Sequence, residues 1–312
     1  MLDIKFIREN LDVVKMAAQK KKILVDLDRL VSLDDKRREL MSSLEEKRAA
    51  QNKASEQIAS AAAEERQTLI ASMSELKAAL QAEEEEMKPV MEEWKALMLQ
   101  VPQVPDMTVP DGDSDEDNQE VKVWGEPTHF DFEPKDHVEI MTALGMADFE
   151  RGTKVHGFRG YYLTGDGARL SWALWNYANA FFGAKGFDPL LGPSIVRKAN
   201  LFGTGHLPND AEDVYNTQDD DYLIGTSEIS TMGYYADEVL DKSQFPIKHL
   251  SFSPCYRREA GSHGKDTKGL IRVHEFFKVE QVVLCEASHA VSVALHEEIN
   301  RNTEEFIESL GI

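Results

Sequence analysis

Between positions 255 and 280 the chain gathers Arg257, Arg258, Glu259, Arg272, His274, Phe276, Lys278 and Glu280, a set suited to holding a charged, flat ligand. Period-two alternation over 270–284 sorts them. Ile271, Val273, Phe277, Val279 and Val283 point one way, as a core would, while Arg272, His274, Phe276, Lys278 and Glu280 point the other. On the preceding segment, 247–259, Arg257 and Glu259 share a face and Arg258 opposes them. The pattern predicts two strands flanking a polar loop at 260–269.

Residues 242–278 hold eight basic side chains (Lys242, Lys248, Arg257, Arg258, Lys265, Lys268, Arg272 and Lys278) against three acidic ones, in a chain of net charge −21. Positive charge around a glycine-bearing loop suits a polyphosphate, which guanidinium groups can grip through two oxygens at once. The same residues also fit a salt-bridged, solvent-exposed hairpin. Other nucleotide signatures are missing. There is no P-loop, no Gly-x-Gly-x-x-Gly opening a βαβ unit, and no His/Cys spacing for zinc. The acidic run at 111–117 lacks the glycine and glutamate positions of a calcium loop.

The elements that must position this hairpin differ along the chain. Ile4, Ile7, Leu11 and Val14 recur at helical spacing. Heptads then run through Leu30, Leu33, Arg37, Leu40, Leu44, Lys47, Gln51, Ala54 and Ile58, and again from Leu69 through Leu80, Val90 and Trp94 to Val101. The 3/4 alternation predicts an antiparallel helical hairpin, each arm roughly 45–50 Å long at 1.5 Å per residue. Heptads name no partner, so the pattern alone equally fits a generic coiled coil. The first arm balances seven basic against seven acidic residues, whereas the second has four against nine. An anionic polymer would therefore meet the first arm, through Arg29, Lys36, Arg37, Arg38, Lys47, Arg48 or Lys53. Pro102, Pro105 and Pro110 then frame an acidic linker. Beyond it lie a predicted helix at 169–183, an extended segment at 187–196 broken by Pro193, and a helix at 297–310. The division expected is 1–104, a helical arm; 105–120, a linker; and 121–312, a mixed α+β domain.

Composition limits the class. The excess of acid argues against a protein that coats nucleic acid indiscriminately. Cys255 and Cys285 are too few for a disulfide framework. No apolar run approaches the ~20 residues of a membrane span. The expectation is a soluble, cytoplasmic protein.

The hairpin residues also carry a resemblance. Cys-Tyr-Arg-Arg-Glu-Ala-Gly-Ser at 255–262, followed by Asp-Thr-Lys-Gly-Leu-Ile-Arg-Val-His-Glu-Phe-Phe-Lys-Val-Glu at 266–280, closely resembles motif 2 of bacterial-type seryl-tRNA synthetases, which are class II enzymes. Residues 187–193 look like motif 1, the dimer segment of that class. Phe-Gly-Thr-Gly-His-Leu-Pro at 202–208 and Leu-Ile-Gly-Thr-Ser-Glu at 223–228 resemble two further family elements, and the arm resembles the family's tRNA-binding N-terminal domain.

The resemblance implies a coiled-coil arm on a class II antiparallel-sheet catalytic domain, stopping short of motif 3. It implies serine–tRNA ligase activity: serine and ATP give seryl-adenylate and pyrophosphate, and serine passes to tRNA(Ser). Arg257 would be catalytic, holding the α-phosphate. Arg258, Glu259, Arg272, Val273 and Phe276 would join it at ATP, Phe276 stacking on adenine. Thr226, Ser227, Glu228 and Glu280 would hold serine. On the arm Arg29, Lys36, Arg38, Lys47, Arg48 and Lys53 would meet tRNA. A homodimer through motif 1 is implied, with no membrane partner. Mg2+ is implied too, although its glutamate ligand and the motif 3 arginine would lie beyond Ile312, which leaves no metal site in 1–312 and little activity expected from these residues alone. The chain departs from the family's usual residues at Gly225 (Pro), Ser227 (Ala), Tyr256 (Phe), Glu275 (Gln) and Arg258 (a small residue). A non-catalytic paralogue, keeping the arm as an RNA- or protein-binding module, is the alternative.

Overall fold

The computed structural model describes residues 2–260 and 268–312, without the side chains of 59, 60, 63 and 64. The chain forms two compact units, 1–125 and 126–312.

The first unit is helical. Asp3 caps α1 (Ile4–Glu9), α2 (Leu11–Lys20) follows, and Asp26 caps α3 (Leu27–Ser60) by accepting from the Arg29 N–H at 2.8 Å. The return helix α4 (Ala63–Gln100) runs antiparallel to α3, as the cross-pairs Arg29–Glu93, Lys36–Glu86 and Arg48–Glu84 require. Ile7, Val14, Leu27, Leu30, Met98 and Val101 form a core at the base of the hairpin, and Leu33, Leu40 and Val90 continue it outward. Asp34 is buried there among Arg8 and Arg37, and the Arg37 guanidinium lies 4.9 Å from the Trp94 ring centroid. The heptad polar residue Arg37 thus serves the seam. The acidic stretch is mostly irregular, but Lys20 and Lys22 pair with Asp111 and Asp113, so its start lies against the C-terminal end of α2.

The second unit comprises α5 (His137–Ala143), β1 (Ala147–Asp148), α6 (Phe149–His156), β2 (Tyr162–Leu163), α7 (Gly165–Gly183), β3 (Asp188–Leu190), β4 (Ile195–Arg197), α8 (Lys198–Gly203), β5 (Asp221–Leu223), α9 (Glu228–Tyr234), β6 (Ile247–Tyr256), β7 (Glu275–Leu284) and α10 (His289–Ser309). The main sheet has the order β3-β6-β7, with β3 parallel to β6 and β6 antiparallel to β7. Its outer face packs Leu250, Val279 and Val283 against Ala178 and Phe182 of α7 and Phe306 of α10. Gly152 of α6 is held to glycine, since a Cβ there would stand 2.4 Å from the Tyr161 backbone.

Three expectations shift. α7 begins four residues earlier than predicted, at Gly165, and α10 eight earlier, at His289. The two long strands stop pairing at Tyr256 and Glu275, so 257–259 and 270–274 are not strand. Alternation without a paired neighbour does not fix a face: Ile271, assigned to the core, is 61% exposed. Phe277, inside the paired strand, stacks on Phe252 with ring centroids 5.9 Å apart.

Candidate functional site

The β6–β7 register builds a shallow bed. Cys255, Ser253 and Ser251 stand opposite Phe276, Lys278 and Glu280, so all six share one face. The three β6 side chains are small and buried, which lets the longer β7 side chains lean across them. From Phe276 to Glu280 the strand advances about 13 Å at its usual rise.

The turn 224–228 flanks the bed along its length, from Tyr256 to Glu280. Ile224 ties it down, donating to Ser194 O at 3.0 Å and accepting from the Tyr256 N–H at 2.8 Å. The turn then delivers donors to Glu280. Thr226 Oγ1 lies 2.8 and 2.7 Å from its two oxygens, Ser227 Oγ lies 2.6 Å from Oε2, and the Glu228 N–H reaches Oε2 at 3.1 Å. Lys278 Nζ stands 3.2 Å from Oε1 and donates to Thr226 Oγ1 at 2.6 Å. Burial pushes the Glu280 carboxyl up, yet Ser227, Lys278 and Thr226 together outweigh it and hold the group below the usual glutamate range. Glu280 is therefore an anion at neutral pH. The Glu228 carboxylate is exposed; only its main chain joins this network.

At the Phe276 end of the bed Arg257 donates Nε–H to Gly225 O at 3.2 Å, and its guanidinium carbon sits 5.4 Å from the Phe276 ring centroid. No carboxylate pairs with it among the described residues. His274 fixes its main chain twice: the Arg257 N–H donates to His274 O, and His274 Nδ1 donates to Arg257 O, both at 3.0 Å. Glu259 adopts φ 53° and accepts from Arg272 at 3.1 Å. Arg258 turns away over Tyr215, 5.6 Å from its centroid, and Val273 is buried beneath the hairpin. The hairpin tip, which includes Lys265 and Asp266, lies outside the described residues. Its stems are anchored by Asp213, which accepts from Ala260 N–H at 2.8 Å, and by His137 Nε2, which accepts from Leu270 N–H at 3.1 Å.

Thus Arg257, Phe276, Thr226, Ser227 and Glu280 converge, Arg272 and Glu259 form a neighbouring pair, and Arg258, Val273 and the Glu228 carboxylate stand aside. Lys278 falls between the two ends, and alternation alone could have nominated it. Asp213, Tyr215 and His137 carry no linear signal. The local excess of positive charge is largely cancelled by distant acids: Lys242 by Glu286, Lys248 by Glu298, Lys268 by Asp136.

On the arm, four of the six basic candidates are engaged by the second helix. Arg29 grips Glu93 through two bonds of 2.7 Å, Lys36 pairs with Glu86 at 2.5 Å, Lys47 with Glu83, and Arg48 with Glu84 at 2.8 Å. Arg38 and Lys53 are exposed and make no ion pair among the described residues.

Comparison with known proteins bears on both units. Residues 1–105 match the seryl-tRNA synthetase N-terminal domain, and 213–312 match the class II tRNA synthetase core domain (G, H, P, S and T). The chain is 42% identical to a serine–tRNA ligase of Caldanaerobacter subterraneus and 40% to one of Deinococcus radiodurans, covering all of this chain and 74% of each relative. The chain belongs to the serine–tRNA ligase family. Among solved structures of that family, the Pyrococcus horikoshii seryl-tRNA synthetase complexed with ATP has TM-score 0.82 at 33% identity, covering 99% of this chain and 74% of that one. The Naegleria fowleri cytoplasmic enzyme with AMP has TM-score 0.81 at 31% identity, covering 100% and 73%. The class II fold expected from motif 2 is thereby shown, with the family's helical arm.

The family implies a divalent metal. Among the described residues no group of three or more His, Cys, Asp or Glu could hold one; the bed carboxylate Glu280 is engaged by its donors and the neighbouring Glu259 by Arg272. These residues do not make a metal site, and no step below passes through one.

Proposed function

We propose that this chain binds ATP and serine along the β6–β7 bed and joins them as seryl-adenylate, as a serine–tRNA ligase that then passes serine to tRNA(Ser). The observation that carries the reading is a guanidinium at one end of the bed with no carboxylate partner among the described residues, set against a donor-held carboxylate at the other end. Phe276 takes the adenine, Arg257 the α-phosphate, and the Thr226–Glu280 pair the amino and hydroxyl groups of serine. Arg258 and Val273 play at most a flanking part, and Glu259 with Arg272 borders the phosphates.

Serine's carboxylate, ionised at neutral pH, attacks the α-phosphorus. One carboxylate oxygen forms the new P–O bond, the bond to the β-phosphate oxygen breaks, and pyrophosphate departs with its electrons. No general base is needed. Catalysis is positioning together with neutralisation of the charge that grows on the phosphate oxygens, for which a permanently charged planar donor is well matched. Alanine is rejected because it leaves a hydrogen-bonding site unpaired.

The arm is proposed to bind tRNA with a long variable arm, Arg38 and Lys53 supplying the phosphate contacts. A homodimer through the 187–193 region is proposed from a cleft of about 410 Å³ lined by Trp172, Trp175, Pro189, Leu191, Leu250 and Phe252, and from Leu191 being 77% exposed. A cytoplasmic location goes with these partners. The central test is calorimetric binding of a non-hydrolysable seryl-adenylate analogue, the seryl sulfamoyl adenosine. It should bind at least tenfold tighter than its alanyl counterpart; equal affinity overturns the serine reading.

A further inference from the structure

The Glu280 carboxylate has about four acceptor directions, and four donors meet it. They are unequal. On Oε2 stand Ser227 Oγ, whose residue is 2% exposed, and the main-chain N–H of Glu228, neither of which can leave without moving the turn. On Oε1 stand Lys278, at the longer distance of 3.2 Å on a flexible stem 29% exposed, and the rotatable Thr226 hydroxyl. Thr226 has one proton for two oxygens, and with Oε2 already served twice that proton belongs to Oε1.

We infer that Ser227 is a positioning residue for amino-acid recognition: with the Glu228 N–H it occupies Oε2, so that substrate is received at Oε1 alone, in exchange for the Lys278 ammonium. This rests on the serine reading above, and it changes the role of Ser227 from direct contact to acting through Glu280. The exchange conserves charge at the site, because serine brings both an ammonium and a carboxylate. Its ammonium or hydroxyl takes the place of Lys278 on Oε1, and Lys278 remains beside the substrate to face the carboxylate. The hydroxyl at position 227 fixes the plane of the carboxylate, so that its free lone pairs face the substrate at one constant angle. The remaining ionisable neighbours of Glu280 on this face are few among the described residues. Cys255 on β6 is buried and its thiol is pushed up by desolvation, so it stays neutral, and His249 further along β6 is hydrogen-bonded to Tyr235 at 2.5 Å.

The test compares the full chain with Ser227→Ala and with Ser227→Cys, whose thiol is a weak donor of similar size. Affinities for the seryl and alanyl sulfamoyl adenosines and for AMP are measured by calorimetry between pH 3 and 8, which spans the acid limb of a carboxyl held below the usual glutamate range. In Ser227→Ala the preference for the seryl over the alanyl analogue should fall about tenfold, the scale of one hydrogen bond to a charged group. The pH at which that preference is lost on acidification should rise, because an anion deprived of a donor protonates more readily. AMP affinity should not change, and Ser227→Cys should recover part of the preference. An unchanged preference with an unchanged acid limb overturns the proposal, as does an equal loss of AMP binding, which would mark a general structural defect. If the unsubstituted chain itself shows no preference for the seryl analogue, the serine reading fails, a result separable from any effect of position 227.

Discussion

Replacing Glu280 by glutamine keeps the shape of the side chain and removes its charge, and the geometry sets the cost. If the amide NH2 takes the place of Oε2, it meets the Glu228 N–H, which cannot become an acceptor. If it takes the place of Oε1, it meets the Lys278 ammonium, which cannot either. The hydroxyls of Thr226 and Ser227 can turn to accept, but in either orientation donor faces donor, the fixed Glu228 N–H in one and the Lys278 ammonium in the other. An unsatisfied donor in a mostly buried place costs about 1–3 kcal/mol, and the loss of the Lys278 attraction adds to it. A total of about 2–3 kcal/mol corresponds to a fall of about 5–10 °C in the melting of the second unit. The pH dependence separates this from generic damage. Glu280 is held below the ordinary glutamate value, so its contribution is complete above about pH 4.3 and fades as the pH falls through the lower, folded-state value. The gap between the two proteins, followed by calorimetric melting, should therefore be widest near pH 7 and narrow below pH 4. A gap that stays constant over that range, or no gap at pH 7, refutes the assignment of Glu280 as a donor-held anion.

Arg257→Lys loses the planar fork and the Nε–H bond to Gly225, and the affinity for AMP or ATP should fall about tenfold or more by calorimetry, with the fold unchanged by circular dichroism. Removing Arg38 and Lys53 together should weaken binding of a long-variable-arm tRNA in filter assays and lower the slope of log K against log salt by about two, whereas removing Arg29 and Arg48, already paired with glutamates, should change that slope less. Asp34→Ala leaves Arg37 without its buried carboxylate partner, while Arg8 keeps Asp35 at 2.6 Å, and should cost the first unit about 3 kcal/mol in denaturant unfolding. Gly152→Ala drives a methyl into the Tyr161 backbone and should lower the melting of the second unit by several degrees, through a cost of about 1–3 kcal/mol.

Much of the architecture was legible because it follows from periodicity. Heptads delimit α3 and α4 to within a few residues, and the seam holds even through Pro89, which sits inside α4 although an interior proline costs about 3 kcal/mol; burial of the adjacent Val90 against Leu33 and Leu40 supports the helix there. Alternation likewise put Phe276, Lys278 and Glu280 on one face. What it could not convey is where pairing stops. The run Ile271–His274 alternates like its continuation, yet no β6 residue stands opposite it, and Ile271 is left in solvent. Nor can a local count of charges reveal its own cancellation. Lys248 and Glu298 are 50 positions apart, Lys268 and Asp136 are 132 apart, and only the fold brings them together.

That cancellation explains why Arg257 stays available. Its nearest acid in sequence is Glu259, two residues on, and in a continued strand the two would lie on the same face, where the glutamate would claim the guanidinium. The chain leaves the strand instead, and Glu259 enters the left-handed region at φ 53°, a conformation costing a non-glycine residue about 1–2 kcal/mol. The turn carries its carboxylate to Arg272 and clears the bed of anions between Phe276 and Lys278. The anchors on either stem, Asp213 at Ala260 and His137 at Leu270, hold the backbone in this bend. The bend at Glu259 thus acts through charge: it leaves Arg257 without a carboxylate partner among the described residues, in a chain whose overall balance is strongly negative.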